Sequence, residues 1–497
     1  MSYPATCTPE EMGLPSDAVI DFLDYVEESR INLYSFMLIK DGKTVTEAYY
    51  KPFDASSKHR IYSCTKSVSA LAVGLLLKDG LVELDAPLIS YFPECENPDA
   101  EMARVTVRDA LKMAVPQWRS SYCRTPADEG AGIVLLSDWT KSFFTGRFKA
   151  DKPAGTIFNY NSTASYVLGD LVTHLAGKSI VEYLRPVFDK IGVSQDVSCV
   201  LSPDGVAWGA SGIICTMRDF AKIGELILNR GAYLGEQLIP LDYMTEATTK
   251  QIDTVFDGGM APKCCGYGYQ IWMEPYGYGM HGLGGQFAFC FPEKSFLFVC
   301  NANTEDSAGN RQTELYAAAA RLYKAISDSP LPASEAAAEL SRRIQNLSTN
   351  RSFGESRSPY EALVGNKTYL LNDNPMKISS FRLEFGENCG TLRYVRFGEE
   401  KALNFGYGKY EDTTFPETNY YGMQITKPSK RRFRALVTGS WTMENRLLII
   451  TDICDTNIGT AGFVFEFSGT TVSLKLTSHG EEILHGYSGY TSGKQKT

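Results

Sequence analysis

Histidine is scarce in this chain: five in 497 residues (His59, His174, His281, His479 and His485), with no H-E-x-x-H and no His-x-His pair. A histidine-built zinc centre would need distant single residues, so neither metal nor cofactor is expected. No G-x-x-x-x-G-K-[ST] loop occurs, and the glycine-rich residues 277–285 lack the spacing of a phosphate or dinucleotide loop. The twelve cysteines form no C-x-x-C and, apart from Cys264-Cys265, are scattered; reduced thiols in a cytoplasmic protein are expected. No basic stripe is present and the net charge is −9, which speaks against nucleic acid. The dense basic cluster at residues 427–434 is broken by Pro428 and reads as a loop entering a strand. No stretch reaches the roughly 18 uninterrupted apolar residues of a membrane span. The opening residues show no charged segment followed by an apolar one, so no secretory signal is expected.

What is present is an ordinary globular composition, 43% hydrophobic and 22% charged, long enough for two or three domains. Residues 15–30 carry apolar positions at helical spacing, with Ser16 as candidate N-cap. Two β-prone runs flank Asp41-Gly42, predicting a hairpin. Residues 84–203 read as helices and loops. Strands are predicted again at 267–272, 286–292 and 296–302, then a helix over 307–327. One sheet built from both ends of residues 1–328, with a helical insertion at about 84–203, gives an α/β domain. Residues 329–359 read as a linker holding one helix. Residues 360–497 carry short, alternating runs separated by Gly, Asn, Asp or Pro, which predicts an all-β barrel or sandwich, lipocalin-like in pattern.

Ser63-Cys64-Thr65-Lys66 is the only Ser-x-x-Lys in the chain. It opens an apolar helical segment, so the hydroxyl and the amine share a face one turn apart. Serine needs a base to become nucleophilic, and a desolvated lysine can serve. The helix start adds backbone N–H groups suited to an oxyanion. In Phe158-Asn159-Tyr160-Asn161-Ser162, Tyr160 is a candidate proton carrier and Ser162 a candidate substrate contact. The plain alternative is a loop tyrosine bonded to backbone. In His281-Gly282-Leu283-Gly284-Gly285-Gln286 the glycines would let a substrate approach backbone N–H groups, making His281, Gly282, Gly284, Gly285 and Gln286 candidate substrate contacts. The plain alternative there is a tight hairpin with an uninvolved histidine.

Taken in order, these motifs resemble the serine β-lactamase and penicillin-binding-protein superfamily, in its class C β-lactamase and esterase branch. Gly80-Leu81-Val82-Glu83-Leu84-Asp85-Ala86-Pro87-Leu88 and Ala210-Ser211-Gly212-Ile213 also look like that branch. The resemblance covers about residues 8–328 and implies an antiparallel sheet flanked by helices with a helical subdomain. It further implies a serine hydrolase whose Ser63 forms an acyl-enzyme on an amide or ester while Lys66 and Tyr160 manage the proton. Two departures narrow this. Position 162 is Ser where the lactamases carry Asn, and the third motif lacks its usual lysine, the partner of a substrate carboxylate. Tyr-x-Ser resembles the 6-aminohexanoate-oligomer hydrolases and related esterases, implying a small-molecule or short-oligomer substrate. A D-amino-acid-specific peptidase, a weak β-lactamase and a silent binding or filament-forming relative are the alternatives.

Overall fold

The computed structural model describes residues 7–121, 138–146, 148–255, 265–305, 311–349, 353–418, 432–484 and 486–496. Most of the basic cluster at 427–434 and the expected helix start at 307–310 lie outside them. The described chain forms two compact units. One holds residues up to Ala302 and from Arg311 to Leu347; the other holds 303–305 and residues from Ser348 onward.

The first unit is built on α1 (Ser16–Glu28), β1 (Leu33–Lys40), β2 (Lys43–Tyr49), α2 (Thr65–Lys78), α3 (Ser162–Ala176) and α4 (Met217–Leu228). They are followed by β3 (Trp272–Glu274), β4 (Gly277–Gly282), β5 (Gln286–Phe291), β6 (Phe296–Ala302), α5 (Gln312–Ala325) and α6 (Ala336–Asn346). The strands run β2-β1-β6-β5-β4-β3, all antiparallel. The first strand thus pairs with the last, Phe36 opposite Cys300, and the helical stretch is an excursion between β2 and β3.

Both faces of the sheet are covered, so its central strands are apolar throughout rather than alternating. Phe287, Phe289, Phe291, Phe296 and Phe298 pack with Phe22 and Leu23 of α1 and Leu315 and Leu322 of α5. On the other face α4 comes close at Gly224, where an added Cβ would stand 3.1 Å from Leu297. Ser16 is the first helical residue and not a side-chain cap; its amide instead donates to Glu10 Oε1 at 3.0 Å. Within the expected linker, α6 joins the first unit, where Arg343 meets Asp24 at 2.5 Å.

On α4, Glu225 is 5% exposed, and burial pushes its carboxyl up from 4.5 to about 7, with nearby Lys222 opposing the shift. A carboxyl protonated in the folded state while the unfolded chain has ionised loses stability as pH rises from 4.5 to 7. The loss is then complete, at about 3 kcal/mol. Glu225→Gln should match wild type in melting temperature at pH 4.5 and exceed it at pH 8. Parallel curves at both pH values would contradict this.

The second unit is a barrel. Nine strands close when Glu399–Tyr407 and Phe433–Met443 pair in parallel, Gly406 against Thr438 and Tyr407 against Gly439. Glu411–Phe415 pairs antiparallel with the latter strand. Side chains fill the interior, among them Phe381, Tyr394, Phe463, Phe465 and Tyr487. Phe405 fits because two neighbours lack a Cβ: one added at Gly390 or Gly439 would lie 2.2 or 2.3 Å from its ring. Arg396 and Glu417 form a buried pair at 2.7 Å, and Tyr487 donates to the same carboxylate at 2.6 Å.

Candidate active site

The turn that carries Ser63 is held from both sides. Lys58–Arg60 pairs with Ile213–Thr216 in a small second sheet, and the Ile61 amide donates to Ile213 O at 2.9 Å. The chain then turns sharply. Tyr62, buried, sits at φ 48°, a conformation that costs a bulky residue about 1–3 kcal/mol. The guanidinium of Arg60 lies 4.3 Å over its ring and 4.7 Å over that of Trp208. Ser63 falls in the 3-10 turn Tyr62–Cys64 just ahead of α2, and is half-buried.

From α2, three side chains clasp residues 209–213. Thr65 Oγ1 accepts from the Ile213 amide at 3.0 Å, Lys66 Nζ donates to Ala210 O at 2.7 Å, and Ser69 Oγ donates to Gly209 O at 2.7 Å. Arg60 completes the clasp, reaching Ser211 O at 2.7 Å and Ser211 Oγ at 2.9 Å. The result places Lys66, only 1% exposed, with Nζ 2.9 Å from Ser63 Oγ. A buried amine so placed can exchange a proton with the hydroxyl at no cost in further positioning.

Tyr160 is brought to the same place. Lys66 Nζ lies 4.9 Å from the centre of its ring. The backbone beside it is pinned to Met113, whose carbonyl accepts from Asn159 at 2.9 Å and whose Sδ accepts from the Asn161 amide at 3.2 Å. Asn161 is fully buried and caps α3, accepting from Thr163 and Ala164 at 3.0 and 3.1 Å. Ser162, the first residue of α3, is half-buried, and its amide donates to Ser120 Oγ at 2.8 Å.

The third motif is both a strand edge and a hairpin. His281 and Gly282 end β4, Gly284 and Gly285 take φ 71° and 94° in the turn, and Gln286 begins β5 opposite Gly282. A Cβ at Gly282 would stand 2.4 Å from Ile61 O, so this strand lies directly against the turn that carries Ser63. Cys64 Sγ donates to Gln286 O at 3.1 Å across the same seam. The Gln286 side chain is spent inside the protein, donating to Ala302 O at 2.6 Å and accepting from Asn301 Nδ2 at 2.9 Å. The imidazole of His281 is likewise 7% exposed, between Glu274 and Gln312, and it stacks on Trp272. Ser63, Lys66, Tyr160 and Gly282 therefore converge through the contacts at Lys66 and Ile61, while the His281 and Gln286 side chains engage protein groups.

Strand β4 itself was not legible. Glycine depletes β propensity, and 277–285 carries five glycines. Contacts require them: a Cβ at Gly277 would lie 2.0 Å from Cys290 O. The strand expected over 267–272 instead begins at Trp272, with Tyr267 making only isolated bridges. Arg60 and Trp272 carried no sequence signal, since their importance lies in contacts far along the chain.

Residues 22–323 match the family described as Beta-lactamase. The chain belongs to that family. A 6-aminohexanoate-dimer hydrolase from Paenarthrobacter ureafaciens is 23% identical over 245 residues, 47% of this chain and 62% of that protein, so the match spans less than two thirds of the relative. Among solved structures, a Bacillus anthracis protein provisionally named a 6-aminohexanoate-dimer hydrolase aligns with TM-score 0.53 and 20% identity, over 67% of this chain and 89% of its own. EstCE1, a hydrolase with promiscuous acyltransferase activity, aligns with TM-score 0.50 and 14% identity, over 63% and 99%. These likenesses bear on the fold of the first unit, which is the β-lactamase/transpeptidase-like arrangement. Among the described residues, no cluster of three or more His, Cys, Asp or Glu side chains could hold a metal ion, and no helix is long and apolar enough to cross a membrane.

Proposed function

We propose that this chain is a serine hydrolase that cleaves an amide or ester bond in a small molecule or short oligomer through an acyl-enzyme on Ser63. The observation that carries the reading is the buried Lys66 Nζ held 2.9 Å from Ser63 Oγ by its second bond to Ala210 O. With the amine neutral, one N–H donates to Ala210 O while the lone pair receives the Ser63 proton. Oγ then attacks the carbonyl carbon, and its oxygen gains the negative charge. The Ser63 N–H and an amide within residues 282–286 are the donors for that charge; the Gly285 amide already donates to Gly282 O at 3.3 Å. The proton passes by way of Lys66 and Tyr160 to the departing amine or alcohol, and water later releases the acyl group.

The relatives' names support the substrate class, because two of them are named as hydrolases of a 6-aminohexanoate dimer. The third motif supports it too. His281, where lactamases carry lysine, is buried against Glu274 and Gln312, so it offers no exposed cation to a substrate carboxylate. Incubation with a fluorophosphonate followed by peptide mass spectrometry should place the adduct on Ser63. An adduct on another residue, or none, overturns the proposal.

A further inference from the structure

The side chains behind Tyr160 form a column. The Tyr160 ring stacks on Trp272 at 5.6 Å and 19°. Trp272 stacks in turn on His281 at 5.7 Å and 14°. His281 Nε2 lies 2.7 Å from Glu274 Oε1, and Nδ1 lies 2.5 Å from Gln312 Nε2. An amide nitrogen only donates, so Nδ1 accepts from Gln312, while Nε2 stands beside the carboxylate without a hydrogen bond of its own. Both partners of that contact are buried, at 6% and 4% exposure. Tyr267 and Phe158 both meet the indole edge-on, at 4.8 and 5.7 Å.

The register of the strands makes room for this. Glu274 is opposite Gly277 and Trp272 opposite Gly279, residues with no side chain. The carboxylate and the indole can therefore lie across β4 toward His281, the next residue on that face. The glycines that obscure this strand in the sequence clear space for the column.

Resting on the Ser63 reading above, the geometry points to Trp272 and His281 as positioning residues that fix the tilt of the Tyr160 ring, and hence where its hydroxyl lies, relative to Lys66. Gln312 orients the imidazole through Nδ1, with Glu274 packed beside Nε2. The phenol oxygen lies on the long axis of its ring, so it moves when the whole ring tilts or slides; a flat partner packed on the ring face resists that tilt, and a misplacement of about 1 Å costs roughly 100-fold in rate. His281 then acts through the indole and touches neither the substrate nor the nucleophile.

The test is single-turnover acylation by p-nitrophenyl butyrate. Trp272→Leu should lower the maximal rate by roughly 10- to 100-fold with little change in half-saturation. Trp272→Phe, which restores a flat face, should recover most of it. In a Tyr160→Phe background, which lacks the hydroxyl, Trp272→Leu should have no further effect. If Trp272→Leu fails to fold, His281→Gln is measured in its place; it can still bond Gln312 but presents no ring. It should show a smaller loss that also disappears in Tyr160→Phe. A full rate in either variant, or a loss of equal size with and without the hydroxyl, overturns the inference alone. A wild type that does not acylate overturns the Ser63 reading and the inference with it.

Discussion

Lys66→Met should slow acylation of Ser63 by roughly 10³- to 10⁴-fold, the range typical of losing a positioned general base. Methionine keeps much of the buried stem and removes only the amine, so the comparison isolates proton transfer from packing. The Ala210 carbonyl loses its donor, which costs about 1–3 kcal/mol of stability. Part of that is offset because an amine no longer has to be desolvated at 1% exposure. The chain should therefore remain folded, with a modest drop in melting temperature, while single-turnover release of p-nitrophenol nearly stops. A rate within tenfold of wild type would mean that something other than Lys66 takes the proton. Raising the pH should rescue little, since hydroxide in bulk cannot match an amine fixed 2.9 Å from the hydroxyl.

How far the sequence foretold this site depends on the kind of contact involved. The Ser63–Lys66 relation is local, three residues on one turn, and such spacing is written directly in the chain. The sheet was similarly legible at β1, β2, β5 and β6, where apolar runs between turn residues leave little choice. Tyr160 could be named because Ser162 stands two residues on, a helical pattern follows, and the motif falls in the order of the family the chain resembles. What escaped has one physical cause. Arg60 reaches Ser211, Trp272 reaches Tyr160 and Gly282 reaches Ile61, each across a long stretch of chain. None of these residues is out of place in its own neighbourhood, so no periodicity or turn signal marks it. The glycines of β4 are the sharpest case. By propensity they argue against a strand, yet the approach of neighbouring backbone leaves no room for any other residue. The barrel was readable as strands from alternation alone, but its closure was not, because that depends on a parallel pairing at Gly406 and Tyr407.

Tyr160→Phe should separate the two halves of the proposed reaction. The substitution keeps the ring on Trp272 and under Lys66 and removes only the hydroxyl. If Tyr160 delivers the proton to the departing group, the size of the loss must depend on what departs. p-Nitrophenolate leaves readily without a proton, whereas an amine must be protonated before the C–N bond breaks. Acylation by a p-nitrophenyl ester should fall by roughly 10- to 100-fold, and by the matching amide by roughly 10³-fold or more, within the usual span for general acid–base groups. The ratio of the two rates, measured with the same acyl group, is the decisive quantity. An equal loss for both would place Tyr160 at the attack step beside Lys66 rather than at departure. No loss for either would remove the phenol from the mechanism and leave Lys66 to carry the proton both ways. Because the ring itself stays, neither result can be put down to a collapsed site. The stack on Trp272 gives an internal check, since the indole's environment, read by its fluorescence, should match wild type in the Phe variant.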